Sequence, residues 1–344
     1  MIIVLKKSAS EEQIRHIEEK IREWGLQPSI SHGAEKTVIG VIGDEAVIRT
    51  KPLEVFPGVE SVMTVLKPYK LASREFHHDN TSVTIAPVTA GCAPTVIGGR
   101  QIVVMAGPCS VESRESLFEI SRCAQAGGAK IIRAGAFKPR TSPYAFQGLG
   151  RKGLEYLSEM RRELGIPIVT EVMDTRDVEM VAEFADVLQI GARNMQNFNL
   201  LKAVGKVKVP VLIKRGLSST IQELLMSAEY VLSQGNPDVI LCERGIRTFE
   251  PMTRNTLDLS AVPVIKRESH LPVIVDPSHA TGHWDLIPSM SKAAVAAGAD
   301  GLMLEIHPRP EEALSDGPQA LLPDRYMNLM KELGTLASAL GRSI

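Results

Sequence analysis

Apolar and polar positions along the chain follow two rhythms in succession. The first 66 residues read β-rich run, amphipathic helix, two runs, short helix, run. Ile2–Leu5 is apolar, and Ser10 precedes a stretch to Trp24 whose Ile14, Ile17, Ile21 and Trp24 recur at spacings of three and four. That spacing predicts a capped helix with one buried face. Gln27–Ser31 and Thr37–Ile42 read as strands about a turn at Gly33, Asp44–Arg49 as a short helix and Val59–Leu66 as a last strand. The order βαββαβ predicts a small ferredoxin-like α+β domain over residues 1–70. Residues 71–98 are polar and rich in Pro and Thr, and are expected to be linker and barrel lid.

A longer rhythm begins near residue 99. Short Val- and Ile-rich runs recur at Ile102–Met105, Lys130–Arg133, Pro167–Thr170, Val187–Ile190, Pro210–Ile213, Val239–Leu241, Pro272–Val275 and Gly301–Leu304. Each interval can hold one helix, such as Ser113–Gln125 before Gly127-Gly128 and Ser291–Ala297 before Gly298. Buried-type strands alternating with helices imply a parallel sheet, and eight is the number that closes a barrel. The fold class expected for residues 99–344 is therefore an α/β (β/α)8 TIM barrel, which typically takes roughly 250 residues. An open doubly wound sheet is the alternative, but its glycine-rich phosphate turn is absent from the sequence.

The residues at the run ends move the reading from fold to chemistry. The eight ends carry Cys109-Ser110, Arg133 with Lys138-Pro139-Arg140-Thr141-Ser142, Glu171, Gly191-Ala192-Arg193, Lys214-Arg215, Glu243-Arg244, Asp276 with His279, and Glu305 with His307. In a closed barrel these ends converge on the rim where barrel enzymes work. A protein without a ligand has little reason to gather so many charges, each costing several kcal/mol when buried unpaired. The basic members suit phosphate and carboxylate oxygens. They also have a plainer reading as partners of Glu171, Glu243, Asp276 and Glu305. Arg215 is expected to face outward, since strand neighbours alternate. Cys109, His279, Glu305 and Asp316 come from loops after the first, seventh and eighth strands, which closure brings together. A mixed sulfur, imidazole and carboxylate set favours one divalent ion, with Mn²⁺ placed first and Fe²⁺, Co²⁺ or Zn²⁺ as alternatives, over Ca²⁺.

Bulk properties narrow the class further. The 39 basic and 40 acidic residues leave a net charge of −1, so no nucleic-acid footprint is expected from bulk electrostatics. Four irregularly spaced cysteines without a CxxC pair read as reduced thiols of a cytoplasmic protein. The N-terminus has lysines after its apolar run, the reverse of a signal peptide, and no run approaches the roughly 20 residues of a membrane span.

The motifs GPCSVES, KPRTSPYAFQGLG, IGARNMQN, LIKRG, CERGIRTFE, VDPSHATG, and LMLEIHP with LSDGPQAL resemble those of 3-deoxy-D-arabino-heptulosonate 7-phosphate synthases, in unbroken order from Ile102 to about Leu321. TVIGVIGD and VLKPYKLASREFH resemble the ferredoxin-like extension of one subgroup. The resemblance implies condensation of phosphoenolpyruvate with D-erythrose 4-phosphate, the first step of the shikimate pathway toward chorismate and the aromatic amino acids. It places the metal on Cys109, His279, Glu305 and Asp316. Phosphoenolpyruvate falls on Arg133, Lys138, Gly191, Ala192, Arg193, Lys214 and Arg244, and the aldose phosphate on Arg140, Thr141 and Ser142. Lys138, Glu171 and His279 are the candidate catalytic residues, Glu171 being equally readable as a structural partner of Arg133 or Lys138. The resemblance further implies a homotetramer, and feedback control through residues 1–70 by an aromatic amino acid or pathway intermediate. Three rivals remain. They are the eight-carbon 3-deoxy-D-manno-octulosonate 8-phosphate synthase, whose loop typically reads KANRSS, a non-catalytic anion-binding barrel, and a Schiff-base aldolase using Lys214.

Overall fold

The structure is a computed structural model that describes residues 1–33, 36–43, 47–48, 51–63 and 68–344. The chain divides into two compact units, Met1–Asn80 with Arg267–His270, and Thr81–Lys266 with Leu271–Ile344. The division falls ten residues beyond the boundary that composition suggests.

In the first unit, strands β1 (Ile2–Leu5), β2 (Gln27–His32), β3 (Thr37–Ile42) and β4 (Val59–Met63) form an antiparallel sheet in the order β2-β3-β1-β4. The fold is ferredoxin-like. The helix Glu11–Glu23 begins in a capping box, in which Ser10 and Gln13 each accept from the other's backbone N–H. Its buried Ile17 and Ile21 join Ile3, Leu5, Ile39 and Val41 in one apolar cluster, and such full burials contribute roughly 1.5–3 kcal/mol each. The short helix expected over Asp44–Arg49 lies outside the described residues except at Val47 and Ile48, as does the end of the last expected strand beyond Met63.

His270 belongs to this unit, and its Nε2 bonds the Leu71 carbonyl at 2.7 Å while its ring lies 4.6 Å from that of His77. Burial lowers its pKa to about 4, with His77 and Arg74 adding to the effect and the Leu71 bond opposing it. The unfolded chain therefore takes this proton near pH 6.5, while the folded chain refuses it until about pH 4. Stability from this site is present above pH 6.5 and is lost as pH falls, by about 2 kcal/mol at pH 5. Denaturant titrations at pH 7 and 5 should show that loss, and His270→Phe should shrink the difference between the two pH values by about 2 kcal/mol.

The second unit is a closed barrel of eight parallel strands. These are β7 (Val103–Gly107), β8 (Ile131–Arg133), β9 (Ile168–Glu171), β10 (Val187–Ile190), β11 (Val211–Lys214), β12 (Val239–Glu243), β13 (Val273–Val275) and β14 (Gly301–Glu305). The last strand pairs with the first, from Gly301 opposite Val103 to Glu305 opposite Gly107. All eight expected runs are strands. Inward residues Val103, Met105, Ile131, Val169, Val187, Leu212, Ile240, Cys242, Ile274 and Met303 fill the interior, so the barrel is packed rather than open.

The stretch expected to be linker and lid is partly neither. Strands β5 (Val83–Ile85) and β6 (Thr95–Ile97) make an antiparallel hairpin. Its Val83, Ile85 and Ile97 pack into the same interior cluster, beside residues at the starts of the barrel strands. The hairpin plugs the end opposite the rim because its alternate apolar residues present one face to that opening.

Candidate active site

The strand ends converge on a cavity of about 290 Å³. Arg133, Lys138, Arg140, Thr141, Ser142, Glu171, Gly191, Ala192, Arg193, Lys214, Arg244, His279 and Asp316 all line it. Gln189 and Arg254 line it as well, and neither was expected from the sequence. Arg215 faces away, as expected, and its Nη1 donates to Glu243 at 2.8 Å and to Asp258 at 2.9 Å.

Backbone geometry sets the rim. Gly107 has φ +155°, and a Cβ there would lie 2.3 Å from the Arg133 carbonyl, so strands β7 and β8 approach as closely as they do only with glycine. The next carbonyl, that of Pro108, accepts from Arg133 Nη1 at 3.0 Å. Arg133 Nη1 also donates to Glu305 Oε1 at 2.6 Å, a buried ion pair between the second and eighth strands. Lys214 Nζ pairs with the fully buried Asp276. The plainer reading of the basic rim therefore holds for Arg133 and Lys214, which have acidic partners. It fails for others. Arg140, Arg193 and Arg244 make no ion pair among the described residues, and buried Arg244 Nη1 and Arg133 Nε have no hydrogen-bond partner. Burial lowers the Arg244 pKa, a sign of a cation with too little compensation. A neutral protein has placed a cationic surplus in one concavity, which is what binding an anion requires.

Beside this cavity, Cys109, His279, Glu305 and Asp316 each offer a ligand atom, all within 4.8 Å of one another. Cys109 Sγ lies 3.3 Å from Asp316 Oδ2 and 2.9 Å from Lys138 Nζ, and His279 Nε2 lies 3.2 Å from Glu305 Oε1. Asp276 accepts from the His279 backbone N–H at 2.9 Å and bonds its ring Nδ1 at 2.8 Å. The proton thus sits on Nδ1, leaving Nε2 to face the other three donors. Burial lowers the His279 pKa to about 4, so the ring is neutral and able to ligate. Burial likewise raises the Cys109 thiol to about 11, with Glu305 adding to it and Lys138 and Arg133 opposing. The donor set fits one borderline divalent ion, whose charge would convert that thiol to thiolate.

Glu171 stands across the cavity. Its Oε2 accepts from Gln189 at 3.2 Å, while Oε1 is buried without a partner. Burial raises its pKa, with Lys138 and Lys214 opposing. It makes no ion pair with Arg133 or Lys138 among the described residues. Gln189 could have been noticed as the polar member of the run VLQI, and Asp276 stood in view at a strand end. Arg254 and Gln319, which hold Asp316 and Glu305, lie in loops without a periodic signal.

Residues 81–340 match the DAHP synthetase I family. The chain belongs to that family. Residues 1–67 match the DAHP synthase ferredoxin-like domain. A Thermotoga maritima phospho-2-dehydro-3-deoxyheptonate aldolase is 52% identical over 341 residues, covering 99% of each chain. A crystal structure of that organism's DAHP synthase covers 99% of this chain and 98% of its own at TM-score 0.77 and 50% identity. A 2-dehydro-3-deoxyphosphooctonate aldolase of Acidithiobacillus ferrooxidans is 36% identical over 252 residues, 67% of this chain and 87% of the relative. This chain is an enzyme of the DAHP synthase kind, and the eight-carbon enzymes are its more distant relatives. No described helix is long and apolar enough to cross a membrane.

Proposed function

We propose that the enzyme joins phosphoenolpyruvate to D-erythrose 4-phosphate, forming 3-deoxy-D-arabino-heptulosonate 7-phosphate and inorganic phosphate at the entrance to aromatic biosynthesis. The observation that carries this is the surplus of unpaired cations in a cavity that also touches a four-donor metal set. Two anionic substrates account for both. Arg133, Lys138, Arg193, Lys214 and Arg244 hold the phosphate and carboxylate of phosphoenolpyruvate, with Gly191 and Ala192 letting the backbone come close. Arg140, Thr141 and Ser142 hold the aldose phosphate, at a loop that Pro139 stiffens.

C3 of phosphoenolpyruvate bonds to the aldehyde carbon while water adds at C2. The resulting hemiketal phosphate then breaks its C2–O bond and releases phosphate. Lys138 donates the proton that the new hydroxyl needs, and the free Oε1 of Glu171 orients the attacking water. Cys109, His279, Glu305 and Asp316 hold a divalent ion, Mn²⁺ foremost, which supplies Lewis-acid polarisation of the aldehyde oxygen when bound. The cations contribute mainly by positioning and by offsetting developing charge.

The ferredoxin-like unit carries none of the cavity's residues, which supports a regulatory role for it, with an aromatic amino acid or pathway intermediate as effector. One assay tests both readings. Phosphate release should favour erythrose 4-phosphate over arabinose 5-phosphate by at least about 100-fold in kcat/KM. A preference for arabinose 5-phosphate would overturn the substrate reading. Repeating the assay with each aromatic amino acid and with chorismate should show inhibition by at least one, and inhibition by none would remove the regulatory reading.

A further inference from the structure

Each of the two carboxylates in the metal-donor set is divided between two tasks. Glu305 turns Oε1 toward His279 Nε2 at 3.2 Å, where Arg133 also donates to it. Its other oxygen, Oε2, accepts from Gln319 Nε2 at 2.6 Å. Asp316 turns Oδ2 toward Cys109 Sγ at 3.3 Å, and its other oxygen, Oδ1, accepts from Arg254 Nη1 at 3.1 Å. The same Arg254 Nη1 donates to Gln319 Oε1 at 2.7 Å. One continuous chain, Glu305–Gln319–Arg254–Asp316, therefore occupies the oxygen of each carboxylate that does not face the other donors.

The parts of this chain are well anchored. Gln319 is buried and follows Asp316 by three residues in a tight turn, and its backbone N–H donates to the Asp316 carbonyl at 3.1 Å. Asp316 has φ +52°, the one non-glycine residue in the left-handed region among the described residues. Gly317 follows with its Cα against the Pro310 carbonyl, where a Cβ would lie 2.1 Å from the oxygen. An aspartate held in a costly backbone conformation, with its outer oxygen fixed by a guanidinium, has little freedom to rotate its carboxylate.

We propose that Gln319 and Arg254 are positioning residues that restrict Glu305 and Asp316 to one ligating oxygen each. An untied carboxylate can offer both oxygens to a cation, which suits large, hard ions with high coordination numbers. A tied one offers a single oxygen and keeps the number of donors low, which suits the borderline ions that cysteine and histidine also favour. The tie thus sets both the strength and the selectivity of the site. This inference rests on the metal reading above and deepens it.

The test is titration of the metal-stripped full-length protein with Co²⁺, read by equilibrium dialysis and by visible absorption, without substrate. Wild type, Gln319→Leu and Arg254→Met are compared, and Arg254 is the more exposed site and so the safer one for folding. Loss of such supporting contacts typically weakens metal binding by about 10–100-fold. Both variants should show that weakening. Their cobalt bands should also fall in intensity as extra oxygens enter the coordination sphere. If Gln319→Leu does not fold, Arg254→Met alone decides. Folded variants that bind Co²⁺ with wild-type affinity and spectrum would overturn the tie while leaving the metal reading standing. Weakening in one folded variant but not the other would overturn it too, since the chain needs both members. A wild-type protein that takes up no metal would overturn both readings.

Discussion

Cys109→Ser should strip the enzyme of its metal and cut turnover by at least about 1,000-fold, with the fold intact. Sulfur at this position touches Asp316 and Lys138 and lies within 4.8 Å of the ligand atoms that His279 and Glu305 offer. A serine hydroxyl is smaller, harder and far less ready to lose its proton, so it offers a borderline cation almost nothing. Little else depends on the thiol. The first and eighth loops stay joined by the Ser110–Ser315 hydroxyl bond at 2.7 Å, and Lys138 Nζ keeps the Cys109 carbonyl at 3.2 Å. Circular dichroism and the melting temperature should therefore match wild type within a few degrees, while bound metal falls from one equivalent to near none. A variant with full activity after metal removal would sink the assignment of Cys109 as a ligand.

Gly191→Ala should lower kcat by about 100-fold or more, again without unfolding the protein, because a displacement of about 1 Å at a reacting group can cost that much. Gly191 has φ −69° and ψ 159°, ordinary for any residue, so the substitution carries no backbone strain. Its new methyl would lie 2.0 Å from Glu171 Oε1 and 2.8 Å from Cδ. The carboxylate must swing away, and its Gln189 hydrogen bond stretches or breaks. Side-chain contacts from Arg133, Lys214 and Arg244 are untouched, but Gly191 also lines the cavity, so KM for phosphoenolpyruvate should rise alongside the fall in kcat. An unchanged kcat would mean that the position of Glu171 does not matter to the reaction.

Much of the barrel was legible because its strands are nearly pure Val, Ile and Leu. The boundaries were less so, and for one reason. Glu171, Lys214, Glu243 and Glu305 each end a strand, buried and still within or beside the ladder. A reading that stops at the last apolar residue trims them off. Those same four residues carry charge into the cavity or brace it, so the places where periodicity fails are where the function sits. The hairpin at Val83–Ile85 and Thr95–Ile97 was hidden for the opposite reason. Its strands are three residues long within a Pro- and Thr-rich stretch, too short for alternation to stand out. The cluster of Cys109, His279, Glu305 and Asp316, which could hold a metal ion, was readable from strand ends, the loops after them and closure. The Gln319–Arg254 tie was not, since nothing local distinguishes a loop glutamine that reaches a buried carboxylate from one that meets water.

The pairing of β14 with β7 has a consequence for how the enzyme comes into being. Cys109 follows the first barrel strand, while Glu305 ends the last and Asp316 lies just past it, so 207 residues of chain separate Cys109 from the Asp316 it finally touches. During synthesis the plugging hairpin and the first seven strands emerge before the eighth exists. A partly built sheet can bury apolar surface early, but bringing those ends together costs chain entropy that only the finished seam offsets. The cluster is therefore absent from every incomplete form of the barrel. Uptake of a cation by the ripening chain would mark the moment of closure, and it would hold the seam shut from then on.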